Sequence, residues 1–223
     1  MYYDLIIVSQ SKGELIQMTE NCIASARQDG ADLNVVVVET GDPYPYDAQV
    51  VKYEGEFNYN RALNLGLDHA KGDVHILANN DLVFYEGWSQ IGELMKLNGF
   101  HSASALSQTI PFKKENMVYE GYNIGTILTG WCIFMDRYCR QTIGRLDETM
   151  SFWYSDNIYA LQLEEAGIKH GLFCNVQIDH ITSRTLALQP RRIQRQYQNG
   201  ERGKFINRKR YYAQRKRVFK VDS

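Results

Sequence analysis

Three polar side chains in succession, Asn79, Asn80 and Asp81, follow the apolar residues Val74, Ile76, Leu77 and Ala78 and precede a second apolar stretch, Leu82 to Phe84. Apolar runs of this length read as buried strands, and in open α/β sheets ligands sit beyond the carboxyl ends of the strands. Asp81 therefore stands where a ligand or a cation is held. A carboxylate flanked by amides suits a hard ion such as Mg2+ or Mn2+, which takes one or two protein carboxylates and fills its shell with phosphate oxygens and water. The same triplet also suits a plain turn after a strand.

Polar groups recur beyond other apolar runs. Asp4 to Ser9 delivers Gln10, Ser11, Lys12 and Gly13, and Val35 to Val38 delivers Glu39 and Thr40. The alternation of Leu172, Cys174, Val176 and Ile178 ends at Asp179 and His180. Helical spacing appears between these runs: Leu15, Met18, Cys22, Ile23 and Ala26, then Tyr59, Ala62, Leu63 and Leu67 up to a stop at Gly72. Val50 to Tyr53 reads as a short strand. Thr129 to Asp136 reads as a strand, residues 137–143 as a short helix, and Ser155-Asp156 as the cap of a helix that runs to Gly167. Strands alternating with helices over residues 4–97 predict a doubly wound, mostly parallel α/β sheet with right-handed crossovers.

The chain has 223 residues, 44% of them hydrophobic, enough for one large domain with an appendage. We place the boundary between residues 188 and 189. The overall charge of -1 hides a division: residues 1–188 carry 13 Lys and Arg against 24 Asp and Glu, and residues 189–223 carry 12 against 2. A basic tail of this kind implies a polyanion partner or a tail folded back on the acidic body. Cys22, Cys132, Cys139 and Cys174 form no C-x-x-C pair, which argues against zinc and disulfide frameworks and for a reducing compartment. The chain shows no basic leader and no membrane-length apolar run, so a cytoplasmic protein is expected. Neither G-x-G-x-x-G nor G-x-x-x-x-G-K-[ST] is present, so a diphosphate would need another anchor, and a cation on Asp81 is one.

The order of these pieces resembles the family-2 glycosyltransferases of GT-A fold, over roughly residues 4–185. The resemblance lies in Ile6 to Gln10, Val35 to Glu39, Asn60 to Gly66, Asn79-Asn80-Asp81, Thr129-Gly130-Trp131, Gly144 to Glu148, Ser155-Asp156 and His180. It implies transfer of a sugar from a nucleotide-sugar donor, UDP- or GDP-linked, to an acceptor hydroxyl with inversion. Asp156 is then the catalytic base, and Asp81 with His180 holds Mn2+ or Mg2+. Ser9, Gln10, Glu39, Arg61, Asn64, Asn79 and Asn80 face the donor, and Gly130, Trp131, Trp153 and Tyr154 face the acceptor. Two departures stand out: Ser155 replaces the usual acid before the base, and the D-x-D motif keeps only Asp81.

In the tail, Arg191, Arg192, Arg195, Arg208, Lys209, Arg210 and Arg215 are interleaved with Tyr197, Phe205, Tyr211, Tyr212 and Phe219. Cations among aromatics suit a nucleic-acid backbone. A phage-type enzyme that glycosylates hydroxymethylated bases in DNA, acting in the host cytoplasm, is the acceptor reading that follows. A saccharide or lipid-linked acceptor at a membrane surface and a non-catalytic nucleic-acid-binding protein are the alternatives.

Overall fold

The structure is a computed structural model that describes residues 1–110, 117–181 and 191–219, with side chains in the last span described for residues 195 and 198–215. Strands β1 (Tyr2–Ser9), β2 (Asp32–Glu39), β3 (Gln49–Lys52) and β4 (Val74–Asn79) form one half of the sheet, in the order β3-β2-β1-β4 with every neighbour parallel. The sequence implied this half. Beyond β4 the sheet continues through β8 (Cys132–Asp136), β6 (Ser102–Leu106), β9 (His170–His180) and β5 (Leu82–Phe84), with β7 (Val118–Glu120) on β9. Here β8 runs antiparallel to β4, and β5 antiparallel to β9. Parallel ladders hold most of the paired residues, as expected, and the antiparallel strands turn late parts of the chain back toward the edge where the early strands end.

Period-two alternation divides the strand side chains between two cores. Leu5, Ile7, Val35, Val37, Ile76 and Phe134 face α1 (Glu14–Arg27) and α3 (Gln90–Asn98), which contribute Cys22, Ile23, Ile91 and Met95. Ile6, Val36, Val38, Leu77, Ile133 and Met135 face α2 (Tyr59–Leu67), α4 (Arg137–Ile143) and α5 (Ser155–Ala166). Helices on both faces explain why the strands are uninterrupted apolar runs. Helix α2 lies against the sheet itself: a methyl at Gly66 would collide with Ile6 and meet Val38 Cγ2 at 3.0 Å.

Helix α2 ends at Leu67, before the stop expected at Gly72. The reason is tertiary. Arg137 donates to Gly72 O at 2.8 Å and to Lys71 O at 2.6 Å, and Arg140 donates to the carbonyls of Leu67 and Ala70, so α4 satisfies the carbonyls that a longer helix would have used. Tyr154, not Ser155 or Asp156, occupies the cap position of α5, in the left-handed region at φ 66°.

The basic tail is helix α6 (Arg191–Phe219). It packs on α5 and the loop before it, through a small core of Met150, Ile158 and Tyr212 with Tyr154, Leu161 and Phe205 around it. The tail therefore folds back on the acidic body. Among the described residues no helix is long and apolar enough to cross a membrane.

At the start of β9, His170 is fully buried between Ser102 Oγ at 2.8 Å and Ser104 Oγ at 3.2 Å, and burial pulls its pKa down to about 3. The folded chain keeps this ring neutral while the unfolded chain takes up a proton below about 6.5. Folding stability therefore decreases as pH falls from about 6.5 toward about 3, by up to about 1.4 kcal/mol per pH unit from this group. Urea denaturation of His170→Gln across that range should show a flatter acid limb than the parent, at a lower overall stability.

Candidate active site

Parallel register aligns the first three strand ends. Ser9 is opposite Glu39 and Val8 opposite Asn79, so the residues beyond β1, β2 and β4 share one edge of the sheet. The strand order reverses between β1 and β4, which is where open α/β sheets bind ligands. Antiparallel β8 brings its leading residues to the same edge, with Cys132 opposite Ala78 and Asn79 N–H donating to Trp131 O at 2.9 Å. Antiparallel β5 and β9 pair Leu82 with His180, and that pairing sets His180 beside Asp81.

Asp81 is 4% exposed. Its Oδ1 lies 3.0 Å from His180 Nε2, within ion-pair distance, yet neither atom makes a hydrogen bond. A third atom shared between the two would satisfy both. An oxygen and an imidazole nitrogen at this separation fit two ligands of one divalent cation. No third His, Cys, Asp or Glu joins them among the described residues, so any such ion keeps coordination positions for phosphate and water. His180 is held by its ring as well, stacked on Trp131 at 5.6 Å and 9°.

Trp131 belongs to the tripeptide that also reaches Asp156. A Cβ at Gly130 would lie 2.7 Å from Asp156 Cβ and 2.9 Å from its Oδ2, so only glycine allows this approach. One short loop thus touches His180 with one residue and Asp156 with its neighbour. Asp156 sits in the first turn of α5 and accepts from Asn157 N–H at 2.8 Å, and burial pushes its pKa above the usual carboxylate value. A carboxylate raised in this way is a better proton acceptor. Tyr59 joins the two acids. Its hydroxyl donates to Asn79 Oδ1 at 2.8 Å, and burial, with the charges of Asp81 and Asp156 nearby, pushes it well up, so it remains protonated. In the sequence Tyr59 reads only as an apolar helix position.

On the β2 side, Glu39 is fully buried; its Oε1 accepts from Ser11 N–H at 2.9 Å and Gly41 N–H at 2.6 Å, while Oε2 has no partner. Gln10 is exposed beside it. Ser9 turns inward, 2.9 Å from Thr19 Oγ1, and Asn80 donates to that same hydroxyl at 3.1 Å. Arg61 and Asn64 turn to the loop before Asp156. Both bind Glu148 at 2.9 Å, and Asn64 also pairs with the backbone of Leu146. With Asn58 and Asn60 donating to the carbonyls of Glu148 and Asp147, α2 clamps the loop that leads to Asp156. Trp153 and Tyr154 flank that loop's end, with Tyr154 stacked on Phe205 of α6.

Of the seven tail cations singled out for a nucleic-acid backbone, Arg208 pairs with Asp147 and Arg215 with Glu165. Arg195, Lys209 and Arg210 are exposed, and the side chains of Arg191 and Arg192 lie outside the described residues.

No protein-family model and no curated protein matches the sequence. Solved structures do match the fold. One is GalNAc-T7, crystallised with UDP, GalNAc and Mn2+, at a TM-score of 0.67 and 13% identity, covering 81% of this chain and 43% of that one. Another is S. aureus TarS, at a TM-score of 0.60 and 10% identity, covering 82% of this chain and 37% of that one. This chain has the GT-A fold. It spans less than half the length of either structure. In a GT-A sheet the edge that carries Glu39, Asp81, Asp156 and His180 is the switch-point edge.

Because a side chain at residue 130 would meet Asp156, Gly130→Ala should cost about 1–3 kcal/mol by overpacking. Chemical denaturation checks this, and a variant as stable as the parent would show that the approach is not tight.

Proposed function

We propose that this chain is a metal-dependent, inverting glycosyltransferase that uses a nucleotide-sugar donor. The observation that carries the reading is the close Asp81–His180 pair, which makes no hydrogen bond through the facing atoms, joined through Trp131 and Gly130 to a half-buried carboxylate at Asp156. Glu39 supports the donor side, since its free Oε2 is an acceptor for an N–H of the base or a hydroxyl of the ribose. Asp81 and His180 would hold the cation, which supplies positive charge to the departing diphosphate when bound.

Asp156 does the proton work. As the acceptor oxygen bonds to the anomeric carbon, the bond from that carbon to the diphosphate breaks and its electron pair leaves with the diphosphate. The acceptor's proton passes to the Asp156 carboxylate. Attack opposite the leaving group inverts the anomeric centre.

For the acceptor, the loop before Asp156 presents an aromatic patch. Phe57 is 41% and Phe152 37% exposed, their rings 6.4 Å apart, and Trp153 adjoins Phe152 at 5.6 Å. Exposed aromatics beside a reactive carboxylate suit a saccharide ring. The exposed acids Glu54 and Glu56 immediately precede Phe57, a charge that opposes a polyanion there. Hydroxymethylated DNA is the second reading, favoured by the exposed Arg195, Lys209 and Arg210 on α6.

UDP- and GDP-sugars with Mn2+ should be offered together with saccharide acceptors, hydroxymethylated DNA and plain DNA, with products read by mass spectrometry. Saccharide labelling is the expected result; labelling confined to hydroxymethylated DNA would reverse the acceptor assignment. Asp156→Asn should lower kcat by about a hundredfold or more while leaving donor affinity, measured by calorimetry, unchanged. Full turnover in that variant would remove Asp156 from the base role.

A further inference from the structure

Residues Glu201, Phe205, Arg208, Tyr212 and Arg215 follow one another at three- and four-residue spacing, so they share one face of α6. All five touch the body between residues 147 and 165. Glu201, the only acidic residue of α6, is 7% exposed and uses both oxygens, accepting from Ser151 N–H and from Phe152 N–H at 3.2 Å. Tyr212 donates to Asp147 Oδ2 at 2.8 Å, and Arg208 pairs with the same oxygen. Asp147 Oδ1 then holds Thr149 through its N–H at 2.9 Å and its hydroxyl at 2.5 Å. Phe205 stacks on Tyr154 at 4.9 Å and 5°. Arg215 Nε lies 2.7 Å from Glu165 Oε1 on α5.

These contacts fall on both ends of one loop. Tyr154 is the only non-glycine residue with positive φ among the described residues, and it immediately precedes the helix whose first turn carries Asp156. A tyrosine in this conformation is strained and persists only where its surroundings hold it. The Phe205 ring is such a holder. On the loop's other side, Ser151 O accepts from Tyr59 N–H at 2.7 Å, and Phe152 packs edge-on against Tyr59 at 5.8 Å. Tyr59 is the residue whose hydroxyl binds Asn79. The loop thus lies between α6 and the side chains that frame the cation site.

We propose that α6 is a positioning element of the transferase: Glu201 and Phe205 fix the loop of residues 147–154, and through it the placement of Asp156 against the bound donor. The proposal rests on the transferase reading above. It assigns the inner face of the basic tail to the reaction's geometry, and leaves only its outer face for other partners. Glu201→Gln keeps one acceptor for two adjacent N–H groups, and Phe205→Leu removes the stacked ring while keeping apolar contact.

The test is steady-state kinetics of the full chain, with thermal unfolding recorded for each variant. Glu201→Gln and Phe205→Leu should lower kcat at least about tenfold, with donor KM and the calorimetric affinity for UDP and Mn2+ unchanged. Phe205→Tyr, which keeps the stacked ring, should hold the parental kcat. Amide exchange should rise across residues 151–158 in the two damaging variants and remain unchanged in α2. An active parent whose variants melt earlier yet keep their kcat would reduce α6 to a structural support and overturn the proposal. Equal loss of kcat and donor affinity would also overturn it. A parent that transfers no sugar would instead overturn the transferase reading, and this proposal with it.

Discussion

A buried carboxylate oxygen and a buried imidazole nitrogen held 3.0 Å apart without a hydrogen bond are the constraint around which this fold is arranged. Asp81 Oδ1 and His180 Nε2 are each removed from water and have only each other, with no hydrogen bond made by either. Buried polar atoms are costly unless their hydrogen-bonding or ligand capacity is used. Much of the surrounding structure holds these two atoms in place. Leu82 pairs with His180 across β5 and β9, Ile181 N–H donates to Asp81 O at 2.9 Å, and Trp131 stacks on the imidazole. Tyr59 and Thr19 engage the two preceding asparagines.

The same economy extends to Asp156. Its neighbour Gly130 is adjacent to Trp131, so the loop that supports the imidazole also sets the approach to the carboxylate. The 147–154 loop is held from the α2 side by Asn58, Asn60 and Tyr59, and from the other by α6. A site assembled from loops is made accurate by such two-sided support. Two cations of the basic helix serve this support: Arg208 and Arg215 meet Asp147 and Glu165, and hydrogen bonds from Thr149, Arg208 and Tyr212 outweigh burial to keep the Asp147 carboxyl below its usual pKa.

What could be read in the sequence was local. Apolar runs located β1, β2, β4 and β8, helical spacing located α1 and α2, and the residues 137–143 assigned to a short helix are those of α4. Glu39 and Asp81 were visible because polar groups after buried strands are conspicuous. The pairing directions were not. Nothing in Cys132 to Asp136 announces that β8 runs antiparallel to β4, or that β5 and β9 pair so as to seat His180 beside Asp81. The end of α2 and the cap of α5 were also misplaced, because arginines of α4 and a strained Tyr154 decide them, and both depend on tertiary contacts. The charge division fits both a polyanion partner and a folded-back tail; the fold turns Arg208 and Arg215 to the body.

The most direct measurement is anomalous diffraction from a crystal of this chain soaked with MnCl2 and UDP. The account predicts one strong manganese peak within about 2.3 Å of both Asp81 Oδ1 and His180 Nε2, with the diphosphate completing its shell and the uracil beside Glu39. Manganese elsewhere, or a diphosphate bound at another edge of the sheet, would contradict it.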